Sequence, residues 1–373
     1  MYRSTTKDNK SLNFNRRPQQ KNSKGRDDFN DSVVCGIQNL GNNCYLNSGL
    51  QILASCEELV ILLNSYPSNK YAKDLISHLK DAFNTLLSNR KIYDPTRFIN
   101  CFCSKNFDFI KGSQCCSQNF IRTLLKNIND LYLSKGLVKV PKNKDEYSCC
   151  EENEYKNFIE SNKIFPESEA ISIFSGITKS HSKGNCSKCK QKIDDYSFSY
   201  FIDQNLYLDE FDSDSECKFS EVLDANIGNY NTLTMDCPNC HQEIEIQEET
   251  KIIKLPDILI FTLERYQGPT NKVKIIPDLT LKMGKYIDKS LKICEASYEL
   301  FAVNIRLGST ANFGHEICQV KREGKWYEIN DSYGEIISNV SRFNSSYGLF
   351  YKRIKNKKYE SLDDKNNSFR SST

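Results

Sequence analysis

The chain has 373 residues, of which 38% are hydrophobic and 27% charged, the composition of a globular protein with ample length for a core. Its net charge of +3 originates in residues 1–33, where eight Lys/Arg face four Asp/Glu, and the remaining residues sum to −1. A nucleic-acid-binding body is therefore not expected. The sequence shows no apolar run near the ~20 residues of a membrane span and no secretory signal. Sixteen cysteines then favour a reducing compartment, the cytoplasm or the nucleus.

The spacing of apolar residues divides the chain into blocks. Residues 1–33 and 354–373 are polar and predict disordered tails. Residues 45–137 have helical spacing, and the Lys-, Glu- and Asn-rich segment 138–165 predicts an insertion loop. Further on, β-branched and aromatic residues predict strands at 196–202, 252–263, 298–307, 317–320, 326–329 and 347–351. Helices first and strands afterwards predict an α+β fold.

A candidate nucleophile lies in residues 36–51, where a Gly- and Asn-rich loop runs into helical spacing. Cys44 stands at the junction, with Asn42 or Asn43 as the candidate helix cap. Unpaired N–H groups and a partial positive charge at a helix start favour a thiolate over a thiol. Asn39 lies five residues upstream, where its amide could donate to an oxyanion. The alternative is a buried structural cysteine.

A candidate metal site consists of two Cys-x-x-Cys pairs, Cys186 with Cys189 and Cys237 with Cys240. The two-residue gap lets both sulfurs of a pair converge on one ion, and two pairs complete a tetrahedral shell of thiolates. Soft ligands with no open position favour structural zinc over catalysis. Chance pairing in a Cys-rich chain is the alternative, which two identical spacings disfavour.

A zinc ribbon that binds nucleic acid is the rival class of protein, and it would need a basic, aromatic face near these pairs. His181 and His241 lie near the four cysteines and are interpreted as surface residues or neighbours of a site already filled by thiolates. The flanks repel phosphate and favour a basic protein partner, because they carry Asp194, Asp195, Asp209, Glu210, Asp212, Asp214, Glu216, Glu243, Glu245, Glu248 and Glu249.

The candidate general base is His315, the one of four histidines that opens a predicted hairpin. A turn at 321–324 joins the strands 317–320 and 325–329. Centring that turn on residues 322 and 323 places His315 directly across from Asn330. Opposite residues have Cβ atoms ~5 Å apart, which suits an asparagine that orients an imidazole for proton exchange with a thiol. A turn-end histidine beside a loop asparagine is the plain alternative.

Three blocks resemble the ubiquitin-specific proteases, a papain-like family of cysteine peptidases. The first is the Asn-x-Gly-Asn-x-Cys-Tyr-x-Asn-Ser run at residues 39–48. The second is the predicted strand in residues 255–266, and the third spans 298–332 with its Gly-His, Trp and Asn-Asp-Ser. The resemblance covers residues 34–353 apart from the insertion.

The resemblance implies a thiol hydrolase that cleaves after the C-terminal glycine of ubiquitin on protein conjugates. It implies a helical thumb at about 34–165, zinc-bearing fingers at about 170–255 and a palm at about 256–353. Ubiquitin or ubiquitinated proteins are the implied partners, without nucleic acid or membrane. The resemblance then implies a catalytic triad of Cys44, His315 and Asn330. It implies that Asn39 is the oxyanion donor and that Asp331 is an accessory residue.

The tail-binding block departs from the family pattern. Residues 114–121 align with a Gln-Gln-Asp-Ala-x-Glu-Phe-Leu block whose acidic residues face the arginine-bearing tail of ubiquitin, but Cys116 and Asn119 stand at those positions beside Gln114. Glu316 replaces the usual aromatic residue after the histidine, and Arg306 a usual histidine. Three outcomes stay open: weaker ubiquitin binding, transfer of the acidic contact to Glu316, or preference for another ubiquitin-like modifier. A weakly active or inactive ubiquitin-binding scaffold is the remaining alternative.

Overall fold

The computed structural model describes residues 33–67, 74–88, 92–138, 157, 167–266, 270–289, 291, 296–308 and 314–354. The predicted tails, apart from residues 33 and 354, and nearly all of the predicted insertion lie outside these residues. All of the described residues belong to one compact unit, Ser32–Thr373.

Five helices occupy the first part of the described chain. Their apolar faces build a core with one face of the larger sheet. No single described helix is long and apolar enough to cross a membrane. The first two helices together have enough length and apolar character, but a bend of 85° lies between them. The helices are α1 (Cys44–Ala54), α2 (Glu57–Ser65), α3 (Leu75–Ser88), α4 (Thr96–Cys103) and α5 (Ser117–Ser134).

Helix α1 is buried along its whole length, because its polar side chains find partners in the strands and the preceding loop. Ser48 Oγ accepts a hydrogen bond from Asn304 Nδ2 at 2.9 Å. Gln51 donates to the backbone of Cys35 at 2.8 Å and accepts from Arg322 at 2.6 Å. A buried polar group without such bonds would cost about 1–3 kcal/mol, so these contacts fix the helix in place below the sheet.

Two short helices and one antiparallel sheet follow. The helices are α6 (Glu169–Ser172) and α7 (Phe219–Leu223). The four-stranded sheet has the order β2-β1-β6-β5 and a small core of isoleucines around the four cysteines. Its strands are β1 (Gly176–Asn185), β2 (Lys192–Phe201), β5 (Tyr230–Asp236) and β6 (Glu243–Lys254).

The larger sheet has eight strands in the order β13-β12-β11-β10-β14-β7-β3, with β9 beside β10. Alternate residues face the helical core and a second apolar core, as expected for a sheet covered on both sides. A separate pair joins β4 (Glu216–Lys218) to β8 (Lys274–Ile276). The strands of the larger sheet are β3 (Gln204–Tyr207), β7 (Ile258–Glu264), β9 (Thr280–Lys282), β10 (Ser297–Leu307), β11 (His315–Arg322), β12 (Lys325–Asn330), β13 (Tyr333–Ile337) and β14 (Ser346–Arg353). The predicted α+β class is confirmed.

The predicted register of the β11–β12 hairpin is wrong by two residues. Arg322 pairs with Lys325, so the turn consists of Glu323 and Gly324 alone. Both residues have positive φ, 49° and 77°, the conformation of a tight two-residue hairpin turn. A shift of two residues keeps every side chain on its face. The predicted pair of His315 and Asn330 therefore becomes a diagonal pair on the same face.

Candidate active site and metal centre

Cys44 is the first residue of α1 and is only 5% exposed. The predicted side-chain cap is not formed: Asn43 is the N-cap, but its Oδ1 accepts from Leu40 N at 2.6 Å. Its Nδ2 donates to Asn47 Oδ1 at 2.9 Å. The loop before it turns through positive φ at Gly41 and Asn42. Asn43 thus ties the loop to the first turn of α1 and fixes the position of the cysteine.

His315 opens β11 and meets Cys44. The imidazole forms a hydrogen bond with the Cys44 thiol, and its Nε2 lies 2.7 Å from Asn330 Oδ1. Because Asn330 takes Nε2, Nδ1 is the nitrogen left for the sulfur. The hydrogen bond with Cys44 and that with Asn330 raise the pKa of His315 to about 9, against the effect of burial. The folded state therefore favours the protonated, imidazolium form of His315.

Asp331 connects the cysteine loop, α1 and the end of β12. Its Oδ2 accepts from Asn39 Nδ2 at 2.7 Å, and its Oδ1 accepts from Asn47 Nδ2 at 2.8 Å. Its carbonyl accepts from Ile37 N at 2.7 Å. The carboxylate lies 4.0 Å from His315 Nε2. Asn47 had no predicted role, although it stands in the Cys block, because only the folded chain brings Asp331 beside it.

Gly36 lets the cysteine loop approach the turn after β12. A Cβ built at Gly36 would lie 2.3 Å from the carbonyl carbon of Ser332. Backbone atoms cannot move aside as a flexible side chain does, so a larger residue would push these two segments apart. The glycine therefore allows the loop before Cys44 to lie against the turn that follows Asn330 and Asp331.

The predicted tail-binding residues lie at the start of α5. Gln114 donates to the carbonyl of Gly314 at 3.1 Å, next to His315. Cys116 is the N-cap of α5, and its sulfur accepts from Asn119 N at 3.4 Å. Cys116 and Asn119 line a cavity of about 340 Å³ together with Gln114, Cys115, Tyr266, Arg306 and Tyr347.

Glu316 is not one of the residues that line this cavity, which disfavours transfer of the acidic contact to Glu316. Its carboxylate is buried, with the residue 2% exposed, and it accepts from Arg306 Nη1 at 2.9 Å. It also accepts from the backbone N of Ser117 at 3.1 Å and from the Ser117 hydroxyl. Burial raises the pKa of Glu316 to about 7, opposed by the bonds from Ser117. The cross-strand pair with Arg306 therefore joins β10 and β11 to the start of α5.

The four predicted metal ligands converge. All sulfur atoms of Cys186, Cys189, Cys237 and Cys240 lie within 4.8 Å of one another, and two of the distances are 3.5 Å. Tetrahedral Zn–S bonds of about 2.3 Å require sulfurs about 3.8 Å apart. The four thiols therefore fit one metal ion.

Both knuckles have the same backbone geometry. Lys190 N donates to Cys186 O, and His241 N donates to Cys237 O, with positive φ at Lys190 (62°) and at His241 (55°). His241 is thus a turn residue. His181 lies 2.8 Å from Asp194, which keeps it outside the cluster. The prediction that neither histidine is a ligand agrees with this geometry.

A family model described as ubiquitin carboxyl-terminal hydrolase matches residues 35–351. The chain belongs to this family. It is 27% identical to "Probable ubiquitin carboxyl-terminal hydrolase 4" of Schizosaccharomyces pombe over 355 residues, covering 85% of this chain and 58% of that protein. With ubiquitin carboxyl-terminal hydrolase 23 of Arabidopsis thaliana it shares 26% identity, over 86% of this chain and 36% of the relative. The chain thus spans little more than half, or less, of these two relatives.

Solved structures show the same fold at low sequence identity. One is the SAGA Ubp8/Sgf11/Sus1/Sgf73 DUB module bound to ubiquitin aldehyde, with a TM-score of 0.63 and 20% identity over 86% of this chain and 70% of that chain. A second is a yeast SAGA DUB module carrying an Sgf73 mutant, with a TM-score of 0.65 and 20% identity, covering 86% of this chain and 69% of that one. The predicted family and fold are confirmed.

Proposed function

We propose that this protein is a cysteine-type deubiquitinase that hydrolyses the bond after the C-terminal glycine of ubiquitin. The observation that carries the proposal is the contact of Cys44 with His315, which Asn330 holds at 2.7 Å. A nucleophile, a base and an orienting group in hydrogen-bond reach make up an acyl-transfer site. The names of the relatives and the ubiquitin aldehyde bound to the similar Ubp8 module support ubiquitin as the substrate.

The proposed reaction starts with transfer of the Cys44 thiol proton to His315. The Cys44 thiolate attacks the carbonyl carbon, and the His315 imidazolium gives its proton to the departing amine. Asn330 keeps Nδ1 of His315 directed at the sulfur. Water then attacks the thioester, and the neutral imidazole takes its proton. The C–S bond breaks, the C-terminal acid of ubiquitin leaves, and the Cys44 sulfur takes the proton back from His315, which regenerates the enzyme.

The oxyanion is stabilised by N–H groups at the start of α1. A helix start presents unpaired backbone donors, and the backbone N–H of Cys44 is the closest to its own sulfur. Asn39 has two amide hydrogens; one is bound to Asp331 at 2.7 Å, which leaves the other for the substrate oxygen. Asp331 is then a positioning residue, because it fixes the Asn39 amide. Removing one such donor from a hydrolase costs about 10²–10³ in kcat.

The four-cysteine cluster holds zinc as a structural ion in this proposal. Four thiolates leave no open coordination position, and zinc is the ion that such a set prefers. The ion would join the β1–β2 end to the β5–β6 end of the smaller sheet. The helices, the smaller sheet and the larger sheet would then serve as thumb, fingers and palm. The other nine cysteines of the described chain form no disulfides with one another, which supports a reducing compartment, the cytoplasm or the nucleus.

Hydrolysis of a fluorogenic ubiquitin C-terminal amide tests the function. The wild-type protein should cleave it, and Cys44→Ala should lose about 10⁴-fold or more in kcat/KM. Cys101→Ala, a half-buried cysteine on α4, is the matched control and should keep full activity. A ubiquitin C-terminal electrophile should label Cys44; a pure scaffold would bind without reacting. Equal reaction with another ubiquitin-like modifier would overturn the choice of substrate.

A further inference from the structure

A second group of reactive side chains lies at the start of α5, apart from the proposed triad and the metal ligands. Cys116 forms hydrogen bonds with the Cys115 thiol and the Tyr347 hydroxyl, and its sulfur lies 3.4 Å from Asn119 N. Arg306 lines the same cavity. Three donors and a nearby guanidinium thus surround one sulfur atom, while the proposed reaction uses neither Cys115 nor Cys116.

This arrangement stabilises a thiolate on Cys116. The hydrogen bond from Cys115, together with those from Asn119 and Tyr347 and the charge of Arg306, lowers the pKa of Cys116 to about 6. The same pair interaction acts in the opposite direction on Cys115, whose pKa is raised. Burial raises the pKa of the half-buried thiols Cys101 and Cys103 on α4. Burial raises the pKa of Cys116 as well, so Cys116 differs from Cys101 and Cys103 because of its partners.

Cys116 also lines an open cavity. The residue is half-buried, and the cavity has a volume of about 340 Å³. Two tyrosine rings line the same cavity, and Arg306 lies over the Tyr266 ring at 5.1 Å and over the Tyr347 ring at 5.8 Å. A cavity of this size admits a peroxide, a small alkylating agent or a short thiol. A thiolate with access is the form of cysteine that reacts with electrophiles and oxidants.

We propose that Cys116 is a second reactive thiol of this protein, a modification site for peroxides and small soft electrophiles in the wall of the substrate cleft. With hydrogen peroxide the sulfur attacks one oxygen, an S–O bond forms and the O–O bond breaks. Hydroxide leaves and takes up a proton, and sulfur has lost two electrons to give a sulfenic acid. An added thiol forms a mixed disulfide with loss of water, and a second thiol restores Cys116.

Modification adds a group to the wall of the cavity and removes the negative charge of the thiolate next to Asn119. This consequence for substrate binding rests on the proposed deubiquitinase function, because the cavity lies at the block that aligns with the family's tail contacts. The reactivity of the thiol itself does not depend on that function. The two parts can therefore be tested separately.

The first test measures alkylation of the intact protein by iodoacetamide, resolved by cysteine with mass spectrometry. At pH 6, Cys116 should react about tenfold faster than Cys101 and Cys103, after allowance for the lower nucleophilicity of a low-pKa thiol. Tyr347→Phe removes one donor and should shift the half-reaction pH of Cys116 upward. Equal rates at all three cysteines, or no shift in the variant, would overturn the proposal.

The second test uses Cys44→Ala to remove the catalytic thiol and measures ubiquitin binding before and after peroxide. Peroxide should weaken binding at least about fivefold, dithiothreitol should restore it, and Cys44→Ala/Cys116→Ser should not respond. An unchanged affinity with oxidised Cys116 overturns the cleft-blocking effect. Absence of any ubiquitin binding before oxidation overturns the proposed function and leaves the alkylation result to decide the thiol's reactivity.

Discussion

His315 Nε2 lies 2.7 Å from Asn330 Oδ1, although the two residues are not directly opposite each other in the β11–β12 hairpin. The register that pairs Cys318 with Ile329 makes them diagonal neighbours. Side chains on the same face bridge such a diagonal when both are long enough. The imidazole and the carboxamide meet this condition, and the contact fixes which ring nitrogen faces Cys44.

The contact between His315 and Asn330 predicts the pH above which kcat/KM falls, the alkaline limb of its pH profile. The pKa of His315 is raised to about 9 by its bonds to Cys44 and Asn330, so the imidazolium persists below that pH and is lost above it. kcat/KM should therefore fall as pH rises through about 9. Asn330→Ala removes a bond that favours the charged form; the limb should move to lower pH, with activity reduced about 10- to 100-fold. Asn330→Asp keeps an acceptor and adds a negative charge that favours the imidazolium, so the fall in activity should stay where it is or move to higher pH. An unchanged profile in the alanine variant would contradict the orienting role.

The same raised pKa predicts how this histidine affects stability. Its value in the folded chain lies above the ordinary value of 6.5, so the folded state binds the proton more tightly. The stabilisation is complete below about pH 6.5 and disappears as the pH rises through about 9. Urea unfolding of the wild-type protein and of His315→Ala should show midpoints that converge above that pH. A difference that grows with pH would be inconsistent with this linkage.

Asp331 predicts a combined effect on stability and turnover. Asp331→Asn keeps the size of the side chain but directs an amide nitrogen at one of the two amide donors, Asn39 or Asn47. One hydrogen bond is lost, and two N–H donors then face each other. This should lower the free energy of unfolding by about 1–3 kcal/mol. kcat should fall while KM changes less, because Asn39 loses its fixed position. The measurements are urea unfolding and steady-state kinetics, with Glu335→Gln on the neighbouring strand as the control.

The buried pair of Arg306 and Glu316 predicts a large loss of stability. Glu316→Ala leaves the guanidinium of a residue that is 6% exposed without this carboxylate, and breaking a buried pair costs about 3–5 kcal/mol. The exposed pair of Lys274 and Glu216 is the matched control, since half of each side chain is in solvent. Glu216→Ala should change the free energy of unfolding by less than about 1 kcal/mol. Comparable losses in the two variants would contradict the bridging role of Glu316.

The cysteine cluster predicts a metal-dependent smaller sheet. Purified protein should contain about one zinc per chain, and its removal by a chelator should lower the unfolding temperature because metal binding contributes to folding. Cys189→Ser should lose the metal and give the same lowered temperature, whereas Cys217→Ser, a buried cysteine outside the cluster, should retain zinc. An unchanged transition in fully metal-free protein would speak against a structural ion.

The sequence by itself determined the helix-then-strand order, the two cysteine knuckles and the three blocks that resemble one peptidase family. These features are local: apolar periodicity, a two-residue gap between thiols and a run of consecutive residues are all present before the chain folds. The sequence also contained the residues of the proposed triad. The predicted register of the β11–β12 hairpin differs by two residues from the observed one, but it still places His315 and Asn330 on the same face of the sheet, because side chains alternate with a period of two.

Only the tertiary structure decided which partners the polar side chains take. Asn43 bonds to the loop and to Asn47 instead of capping α1 with its side chain, because the folded loop offers a closer donor. Glu316 turns inward to Arg306 and Ser117, since the start of α5 lies against β11. Cys116 acquires its donors from Cys115, Asn119 and Tyr347. Tyr347 lies more than 200 positions away, and such long-range contacts arise from packing, which no short pattern in the chain encodes.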